Sequence, residues 1–335
     1  MKRKYDLLLL GYYGFGNLGD ELLAEACLGL ALKSGIKKER IAILTASPKK
    51  DEQRYGIKAF NRWSPMQLIS ACLQSRTLLL GGGGLFQEST SLRSCVYYWG
   101  AVKAAKLLGC SPWAAGQSVG PISSAAASFL TKSALSACSS VSVRDKNSQR
   151  LLVSLGVQSR LCCDLVLSLV TREPLPEKHE KLLVFNARPG YRAVAEEAAK
   201  KASAFAAEKK LKIRAAALSE EDLTELESLQ KAGLIKFDSF TKISDINEAL
   251  SLFAGAEAAV GMRLHFVLLA AAAGLPVAGA VYDPKVEGFC SRFGIETVGE
   301  KLLLNKKPER RALVTASDSL LCAFREDFRK AAGEK

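Results

Sequence analysis

The sequence predicts an α/β protein built from two doubly wound domains. Short apolar runs alternate with longer amphipathic segments along the chain, as in strands joined by helices in a parallel sheet. With 335 residues and 48% hydrophobic content, the chain is also too long for one comfortable core. Residues 171–181 contain two prolines and many charges, which is the composition of a linker between two domains.

The predicted strands are apolar runs that end at glycine, proline or polar residues. We expect strands at 5–10, 41–44, 77–80, 112–115, 139–143, 160–163, 182–186, 211–215, 234–237, 258–261 and 277–281. Helices between them include 20–33, 91–108 and 146–155. The expected domains are 1–172 and 180–311, followed by a helical segment, 312–335, that could pack back on the first domain. Two Rossmann-like domains facing each other across a cleft describe a GT-B-like architecture.

The overall charge favours anionic partners. The 47 Lys and Arg exceed the 34 Asp and Glu, and a formal net charge of +13 suits phosphorylated small molecules or an acidic membrane surface. No run of four basic residues occurs, so nucleic acid is not expected as a partner. The nine cysteines form no Cys-x-x-Cys pair, which predicts buried free thiols in a reducing cytoplasm and no metal site. The apolar run near the N-terminus is too short for a signal peptide or a membrane span.

The first predicted strand leads into a glycine loop, GFGNLG at 14–19, which matches the spacing of dinucleotide-binding loops. The second predicted strand ends in Thr45, Ser47 and two lysines, without the acid that holds ribose hydroxyls, although a ribose phosphate would suit the lysines. Asp20 is well placed as a helix N-cap, and Glu21 suits the positive end of the helix dipole. An acid there repels a pyrophosphate, so the loop favours hydroxyl-rich ligands, with a nicotinamide enzyme as a rival.

Two further glycine-containing turns follow predicted strands. The segment LLLGGGGLFQE at 78–88 has bare backbone N–H groups that can approach a ligand, although tight packing of loop on loop explains the glycines equally well. The segment AAGQSVGPI at 114–122 is predicted to end a strand and to place Gln117 and Ser118 at its tip.

Basic side chains collect directly after predicted strands, at helix starts. Arg144 does so in the first half of the chain, and Arg263, His265 and Lys285 do so in the second. Cations at helix N-termini make anion sites, so the sequence predicts a small, multiply charged ligand held by both halves.

The sequence contains two histidines. His179 lies in the linker and is expected to be exposed to solvent. His265 opens an apolar helix, where a core histidine is the ordinary explanation, but its cationic neighbours favour a role in proton transfer. Asp145 is interpreted as a helix cap or an ion-pair partner, and Asp283 as a helix cap.

Six motifs taken together resemble the bacterial polysaccharide pyruvyl transferase family. They are GYYGFGNLGDE, GGGGLFQESTS, GQSVGP, SVRD, GMRLH and YDPKV, and they occur in the order typical of that family between about residue 7 and residue 290. The chain has Gly84 where a serine is frequent, and GQSVGP where GQGIGP is frequent. These differences leave the donor motifs intact.

The resemblance implies a GT-B-like enzyme that transfers a pyruvyl group from phosphoenolpyruvate to a sugar as a ketal and releases phosphate. The sugar is often N-acetylmannosamine of a cell-wall polymer. The family's donor-binding arginine falls on Arg144, its catalytic histidine on His265 and its cleft lysine on Lys285, with Arg263 as a further donor contact. The scheme needs no metal and no cofactor besides the donor substrate.

The expected acceptor contacts are polar and glycine positions of the first domain. They are Asn17, Asp20, Gly83, Gln87 and Gln117, with Asp20 or Glu21 as the base. In this scheme, protonation of the donor's methylene carbon generates an oxocarbenium ion, which one sugar hydroxyl attacks before phosphate leaves and a second hydroxyl closes the ring.

Three rival functions remain at this stage: a GT-B glycosyltransferase that uses a nucleotide sugar, a nicotinamide oxidoreductase, and a binding module without chemistry. The basic surplus also fits an acceptor linked through pyrophosphate to a membrane lipid. The enzyme is then expected in the cytoplasm, in peripheral contact with the inner membrane leaflet.

Overall fold

Two parallel β-sheets organise the chain. The computed structural model describes residues 3–88, 92–170 and 180–334. By internal contacts the chain divides into two units, of which the first comprises the described parts of Met1–Gly16, Asp20–Leu169 and Ala316–Lys335, and the second those of Asn17–Gly19 and Val170–Thr315. Most of the predicted linker, with His179 inside it, lies outside the described residues.

Strands and helices alternate through both units, as the sequence predicts. The strands are β1 Tyr5–Leu10, β2 Ile41–Thr45, β3 Lys58–Asn61, β4 Ser75–Phe86, β5 Ser111–Val119, β6 Val141–Val143, β7 Arg160–Leu161, β8 Leu182–Asn186, β9 Lys212–Ala217, β10 Ser239–Lys242, β11 Ala258–Gly261, β12 Val277–Gly279 and β13 Glu296–Thr297. The α-helices are α1 Leu18–Lys33, α2 Pro48–Tyr55, α3 Pro65–Gln74, α4 Leu92–Leu107, α5 Ala125–Leu135, α6 Lys146–Ser154, α7 Arg192–Lys209, α8 Glu220–Lys231, α9 Ile246–Gly255, α10 Leu264–Ala272, α11 Pro284–Phe293 and α12 Arg310–Ala332.

The sheet of the first unit has the order β3-β2-β1-β4-β5-β6-β7, and all its pairs are parallel. Leu8 at its centre pairs with Ala42 on one side and Leu78 on the other. The strand order reverses between β1 and β4, so the loops after these strands diverge there and leave room for a ligand.

The sheet of the second unit has the order β10-β9-β8-β11-β12-β13, again all parallel. Its order reverses between β8 and β11, which brings the loops after Asn186 and Gly261 side by side. The turns that carry Arg263, His265 and Lys285 leave this same edge of the sheet, after β11 and β12.

The predicted strand at 234–237 is wrong. Ile235 and Phe237 are buried in the core of the second unit, but the chain reaches the sheet edge only at β10, Ser239–Lys242. The amide of Phe237 donates to the side-chain oxygen of Gln230, 2.8 Å away. Alternating burial here therefore reflects a connection packed on the core, a pattern that the sequence does not distinguish from a strand. The short edge strand β3 was not predicted at all.

Two strands run further than predicted, which corrects the prediction for Gln117 and Ser118. β4 continues through all four consecutive glycines, and β5 includes both Gln117 and Ser118. Neither residue stands at a loop tip, because both are buried inside the first sheet.

Helix α1 begins at Leu18, two residues earlier than predicted, so Asp20 lies in the first turn and is not the N-cap. Asn17, which precedes the helix, accepts a hydrogen bond from the amide of Gly19 at 3.1 Å. The cap predictions for Asp145 and Asp283 are confirmed, because these carboxylates accept from the amides of Ser148 and Lys285.

The C-terminal helix α12 crosses from the second unit into the first, since its residues from Ala316 onward group with the first unit. Phe324 packs edge-on against the fully buried Trp113, with ring centroids 5.0 Å apart. Asp327 also pairs with Arg160 at 2.7 Å.

Candidate active site

His265 lies at the second position of α10, and its imidazole packs directly on Gly19 of the glycine loop. A Cβ atom built on Gly19 would lie 2.1 Å from Nδ1 of His265, so only glycine leaves room for the ring. The adjacent amide of Leu18 donates to the carbonyl of Leu218, 3.0 Å away. These contacts explain why Asn17–Gly19 group with the second unit. The motifs GNLGDE and GMRLH are thus neighbours in space.

Arg263 is occupied by a buried carboxylate. Its Nε and Nη2 atoms donate to Oδ1 of Asp222 at 3.0 and 2.5 Å, and Nη2 also reaches Oγ of Ser219 at 3.2 Å. Asp222 is fully buried and also accepts from the amide of Leu218 at 3.1 Å. The guanidinium therefore holds the loop after β9 against the turn after β11. This geometry fixes the turn before α10, and direct contact of Arg263 with the donor stays a prediction.

Asn186, at the end of β8, was not singled out in the sequence but connects three strand ends. Its Oδ1 accepts from the amide of Arg263 at 3.0 Å, and its Nδ2 donates to the carbonyl of Ala216 at 2.9 Å. The side chain is fully buried, so both bonds form away from water, where an unmade bond is costly. Asn186 thereby sets where α10, and with it His265, begins.

Lys285 lies in the first turn of α11, as predicted. Its Nζ atom is 3.1 Å from Oδ2 of Asp283, and its backbone amide donates to Oδ1 of the same residue at 3.0 Å. The side chain keeps 17% of its surface exposed. The Asp283 side chain is 13% exposed, so the pair is partly buried but leaves some of the lysine side chain accessible to an anionic ligand.

Arg188, in the turn after β8, is a cation that the sequence analysis missed. Its guanidinium carbon lies 4.9 Å from the ring centroid of Tyr282 and 5.3 Å from that of Tyr191, and Nη1 donates to the Tyr282 hydroxyl at 3.1 Å. The two tyrosine rings are 4.5 Å apart. The available signal was FNARPG, an arginine between a strand and a helix, which is the pattern that identified the other cations.

Helices α7, α10 and α11 all begin at the edge of the second sheet where β8, β11 and β12 end side by side. The N-termini of α7 and α10 present N–H groups and a partial positive charge, whereas the first amides of α11 are bonded to Asp283. Arg188 and Lys285 add full charges. This edge has the chemistry of an anion site with a histidine beside it.

The carboxylate of Glu21 accepts hydrogen bonds from the backbone of the glycine loop. One carboxylate oxygen accepts from the amides of Gly14 and Gly16 at 2.9 and 3.3 Å, and the other accepts from the Tyr55 hydroxyl at 2.9 Å. Burial, followed by the Glu21 charge, raises the pKa of Tyr55, so its hydroxyl stays protonated and donates. The amides that a pyrophosphate would use are therefore occupied, which argues against a dinucleotide and against Glu21 as the base.

The four glycines of β4 are explained mainly by close packing. A Cβ on Gly81 would lie 2.2 Å from the Tyr13 hydroxyl, and one on Gly82 would lie 2.7 Å from Leu23 in α1. At Gly83 the packing is looser, since a Cβ built there would lie 3.4 Å from Leu23 and 3.6 Å from Oδ1 of Asp20. Two predicted acceptor residues, Asp20 and Gly83, are thus brought together.

Gln87 and Gln117, the other predicted acceptor residues of the first unit, have different surroundings. Gln87 is partly exposed and folds back over Gly84. Gln117 is fully buried, and its Nε2 donates to the carbonyl of Leu80 at 2.8 Å, tying β5 to β4. Gln117 is therefore a structural residue of the sheet in this conformation.

Arg144 follows β6 as predicted, but its side chain is buried against an acid. Nη1 is 2.5 Å from Oδ2 of Asp164, and the two side chains are only 6% and 2% exposed. The Arg144 amide also donates to the carbonyl of Gln117 at 3.0 Å. The cation is present at the expected strand end, already neutralised by a partner that the sequence analysis did not identify.

Within residues 3–88, 92–170 and 180–334, no group of three or more His, Cys, Asp or Glu side chains has the arrangement of a metal site. In the same part of the chain, no helix is both long and apolar enough to cross a bilayer. All nine cysteines lie in the described residues and none forms a disulfide, and Cys322 is the exposed one.

Comparison with protein families decides the assignment. The family model described as polysaccharide pyruvyl transferase matches residues 17–284, which includes the His265 turn and reaches Pro284 beside Lys285. The chain belongs to the polysaccharide pyruvyl transferase family. The family resemblance of the six motifs is thereby confirmed. A comparison with curated proteins found no match.

Solved structures similar to this family member show the fold. A UDP-GlcNAc 2-epimerase from Methanocaldococcus jannaschii has a TM-score of 0.57 at 10% identity, covering 94% of this chain and 92% of that one. A putative UDP-N-acetylglucosamine 2-epimerase from Listeria monocytogenes has a TM-score of 0.58 at 10% identity, covering 100% and 92%. A glycosyltransferase from Rickettsia africae has a TM-score of 0.53 at 10% identity, covering 98% and 94%. With the two parallel sheets, these similarities confirm a two-domain, GT-B-like α/β fold.

Proposed function

We propose that the chain transfers a pyruvyl group from phosphoenolpyruvate to a sugar hydroxyl pair, as a ketal, and releases phosphate. The observation that carries the proposal is the contact between His265 and Gly19, which joins two motifs of the family that lie far apart in sequence. A histidine held against the loop proposed for the acceptor is suited to moving a proton during sugar attack.

The donor is proposed to bind at the edge of the second sheet. Lys285 and Arg188 supply positive charge, and the N-termini of α7 and α10, which have no side-chain cap, supply N–H groups for phosphate and carboxylate oxygens. Arg263 fixes the turn that carries His265. Arg144 stays in the proposal as the residue at the family's donor-arginine position, with Asp164 setting its orientation.

In the proposed reaction, His265 delivers a proton to the donor's methylene carbon, which leaves an oxocarbenium ion at the central carbon. One sugar hydroxyl adds to that carbon, phosphate leaves, and the second hydroxyl closes the ketal. General acid catalysis of this kind is worth roughly 10²–10⁴-fold in rate. Arg188 and Lys285 stabilise the departing phosphate, and no redox step is involved.

The acceptor is proposed to contact Asn17, Asp20 and Gln87 near Gly83. We propose Asp20 as the base, because the carboxylate of Glu21 already accepts hydrogen bonds from Gly14 and Tyr55. We propose N-acetylmannosamine of a cell-wall polysaccharide precursor as the sugar. Free thiols and a phosphoenolpyruvate donor are both consistent with a cytoplasmic reaction.

Ligand-dependent thermal stability separates the proposal from its rivals. We expect phosphoenolpyruvate to raise Tm, and UDP and NAD to leave it unchanged, because a ligand that binds only the folded state stabilises it. A shift with UDP alone would instead favour a nucleotide-sugar glycosyltransferase.

The reaction itself is tested by phosphate release from phosphoenolpyruvate in the presence of an N-acetylmannosamine-containing disaccharide. Mass spectrometry of the glycan should show the added pyruvyl ketal. Phosphate release without a modified glycan, or no release with any acceptor of a disaccharide panel, contradicts the proposal.

A further inference from the structure

Three consecutive helices of the first unit, α3, α4 and α5, contain no acidic residue. Their sequences contain four basic residues and no Asp or Glu; the basic residues are Arg93, Lys103, Lys106 and Lys132. Helices α1 and α2 of the same unit, in contrast, contain acids, among them Asp20, Glu21, Asp51 and Glu52. The positive charge of the first unit is therefore unopposed within this group of helices.

The same helices pack side by side into one layer. Helix α3 contacts α4, and α4 contacts α5. Trp63, just before α3, lies 5.9 Å from the ring of Tyr97 in α4, and Trp99 of α4 donates to Oγ of Ser133 in α5 at 3.2 Å. We call α3, α4, α5 and Trp63 the basic helix layer.

The outward side of the basic helix layer is unusually apolar. Of the fourteen large hydrophobic side chains that are exposed in the described residues, eight belong to it: Trp63, Met66, Ile69, Leu73, Leu92, Val96, Leu107 and Phe129. Met66 is 81% exposed, Leu107 87% and Phe129 65%. Exposed apolar side chains concentrated in this way mark an interaction surface.

The apolar and basic residues share the same helix faces. On α3, Met66, Ile69 and Leu73 follow one another at intervals of three and four residues, which places them on one stripe. On α4, the exposed Leu92 and Val96 fall on the same stripe as Lys103 and Leu107 by helical period.

A surface cavity of about 360 Å³ lies between α4 and α5, lined by three lysines, two serines, an alanine and Phe129. The lysines are Lys103, Lys106 and Lys132, and no acid contributes to the lining. Three ammonium groups beside an exposed aromatic ring suit a phosphate head group with apolar chains next to it.

We propose that the basic helix layer docks on the surface of a bilayer that contains anionic lipids. Protein interfaces are depleted in lysine, whereas amphipathic surfaces that bind membranes combine Lys with Trp, Phe and Leu, as this one does. Lysines near an anionic leaflet strengthen attachment, while Trp63, Met66 and Leu73 enter the interface between head groups and acyl chains. This inference concerns a surface outside the proposed active site and does not depend on pyruvyl transfer.

Vesicle co-sedimentation of the full chain tests the docking surface. We expect binding to vesicles of phosphatidylcholine mixed with phosphatidylglycerol, and weaker binding to phosphatidylcholine alone. Binding to the anionic vesicles should fall as salt is raised, because added ions screen the lysines. Equal binding of the wild type to both vesicle types, or no binding to either, would overturn the proposal.

A lysine variant and its matched control locate the surface. The variant is Lys103→Ala, Lys106→Ala and Lys132→Ala, and the control removes three exposed lysines of the second unit, Lys200→Ala, Lys231→Ala and Lys236→Ala. Each lysine contributes about fivefold at an anionic surface, so we expect the variant to bind about a hundredfold more weakly. The control has the same net charge and should bind nearly as the wild type does. Equal losses would show a general charge effect and refute this surface.

An apolar variant distinguishes a membrane from a protein partner. Met66→Ser with Leu73→Ser is compared with Val153→Ser and Leu303→Ser, which remove exposed apolar side chains outside the basic helix layer. We expect only the first pair to reduce vesicle binding at high salt, while turnover of a soluble acceptor stays unchanged. Sedimentation velocity gives the contrary outcome. If the wild type self-associates, the Met66→Ser, Leu73→Ser variant is monomeric, and vesicle binding is unaltered, the layer is a protein interface and the proposal fails.

Discussion

The two units use charge differently at the edges of their sheets. In the first unit, Arg144 is paired with Asp164, and Glu21 occupies the amides of the glycine loop, so these charged groups are satisfied internally. In the second unit, Lys285 and Arg188 retain some exposed surface. Lys285 pairs with the partly buried Asp283, and Arg188 contacts the rings of Tyr191 and Tyr282. The predicted cation of the first sheet is therefore buried against an acid, whereas those of the second sheet keep surface that an anion can reach.

This difference indicates how the same fold can serve two kinds of substrate. A neutral, hydroxyl-rich sugar needs hydrogen-bonding groups without strong charge, whereas a phosphorylated carboxylate needs cations and helix N-termini. The sequence has cations in both halves. Only the ion pairs within each unit show which cations are buried against an acid and which remain accessible to a ligand.

The largest effect is expected at the histidine. His265→Gln should lower turnover by roughly 10²–10⁴-fold, because the variant keeps a polar side chain but cannot relay a proton. Phosphate release under saturating donor measures this, with Tm as a check on folding. His179→Gln, at the other histidine of the sequence, is the control and should keep full turnover. Full activity of the His265→Gln variant would show that His265 does not transfer a proton in the reaction.

Asp164→Ala should lower the free energy of unfolding by about 3–5 kcal/mol, because it leaves the Arg144 charge buried without its partner. Denaturant titration measures the change. Glu334→Ala breaks an exposed pair with Arg76 in the same unit, whose side chains are 43% and 40% exposed, and should cost no more than about 1 kcal/mol. Similar costs for the two variants would mean that the buried Arg144 charge does not depend on Asp164.

Gly19→Ala should reduce turnover by about 10²-fold, because the added methyl group displaces the His265 ring and small misplacements of catalytic groups are costly. The control is Gly29→Ala in the same helix, where a Cβ meets no atom within 4 Å. That substitution should stabilise the helix by about 0.5–1 kcal/mol and leave turnover unchanged. Unchanged turnover in Gly19→Ala would show that the contact with His265 is not needed.

Arg188→Lys should raise KM for phosphoenolpyruvate about tenfold with little change in kcat, because lysine cannot keep both the tyrosine contacts and a bidentate grip on an anion. Arg192→Lys is the nearby control, since Arg192 is paired with Glu196 and Glu225. If Arg192→Lys raises KM as much as Arg188→Lys does, the cationic edge is not localised at Arg188.

The smallest effect is expected from thiol labelling of the native chain, which monitors the interior of each unit. Burial raises the pKa of Cys27 and Cys138 in the first unit, and of Cys290 in the second, to about 12. At mildly alkaline pH these thiols should stay protonated and unlabelled, while Cys322 reacts. Mass spectrometry identifies the labelled sites. If Cys290 is labelled in a variant, the second unit of that variant has unfolded locally. A loss of activity in that variant would then not be evidence for a catalytic role of the substituted residue.

Local patterns were sufficient for most of the fold. Apolar runs predicted most of the strands because buried parallel strands have a strong compositional signal, and Asp145 and Asp283 were recognisable as caps from position alone. The failure at 234–237 arose because a connection packed on the core alternates in burial just as a strand does. The prediction for Gln117 failed because glycine in GQSVGP suggested a turn, whereas β5 continues past it.

The sequence by itself determined the two doubly wound domains, the family, and the strand ends at which Arg144, His265 and Lys285 stand, because these follow from local periodicity and short motifs. Only the tertiary structure decided which charges are available. Asp164 reaches Arg144, Asp222 reaches Arg263, and Gly19 lies under His265. These pairings join residues distant in the chain, and strand order and loop path bring them together.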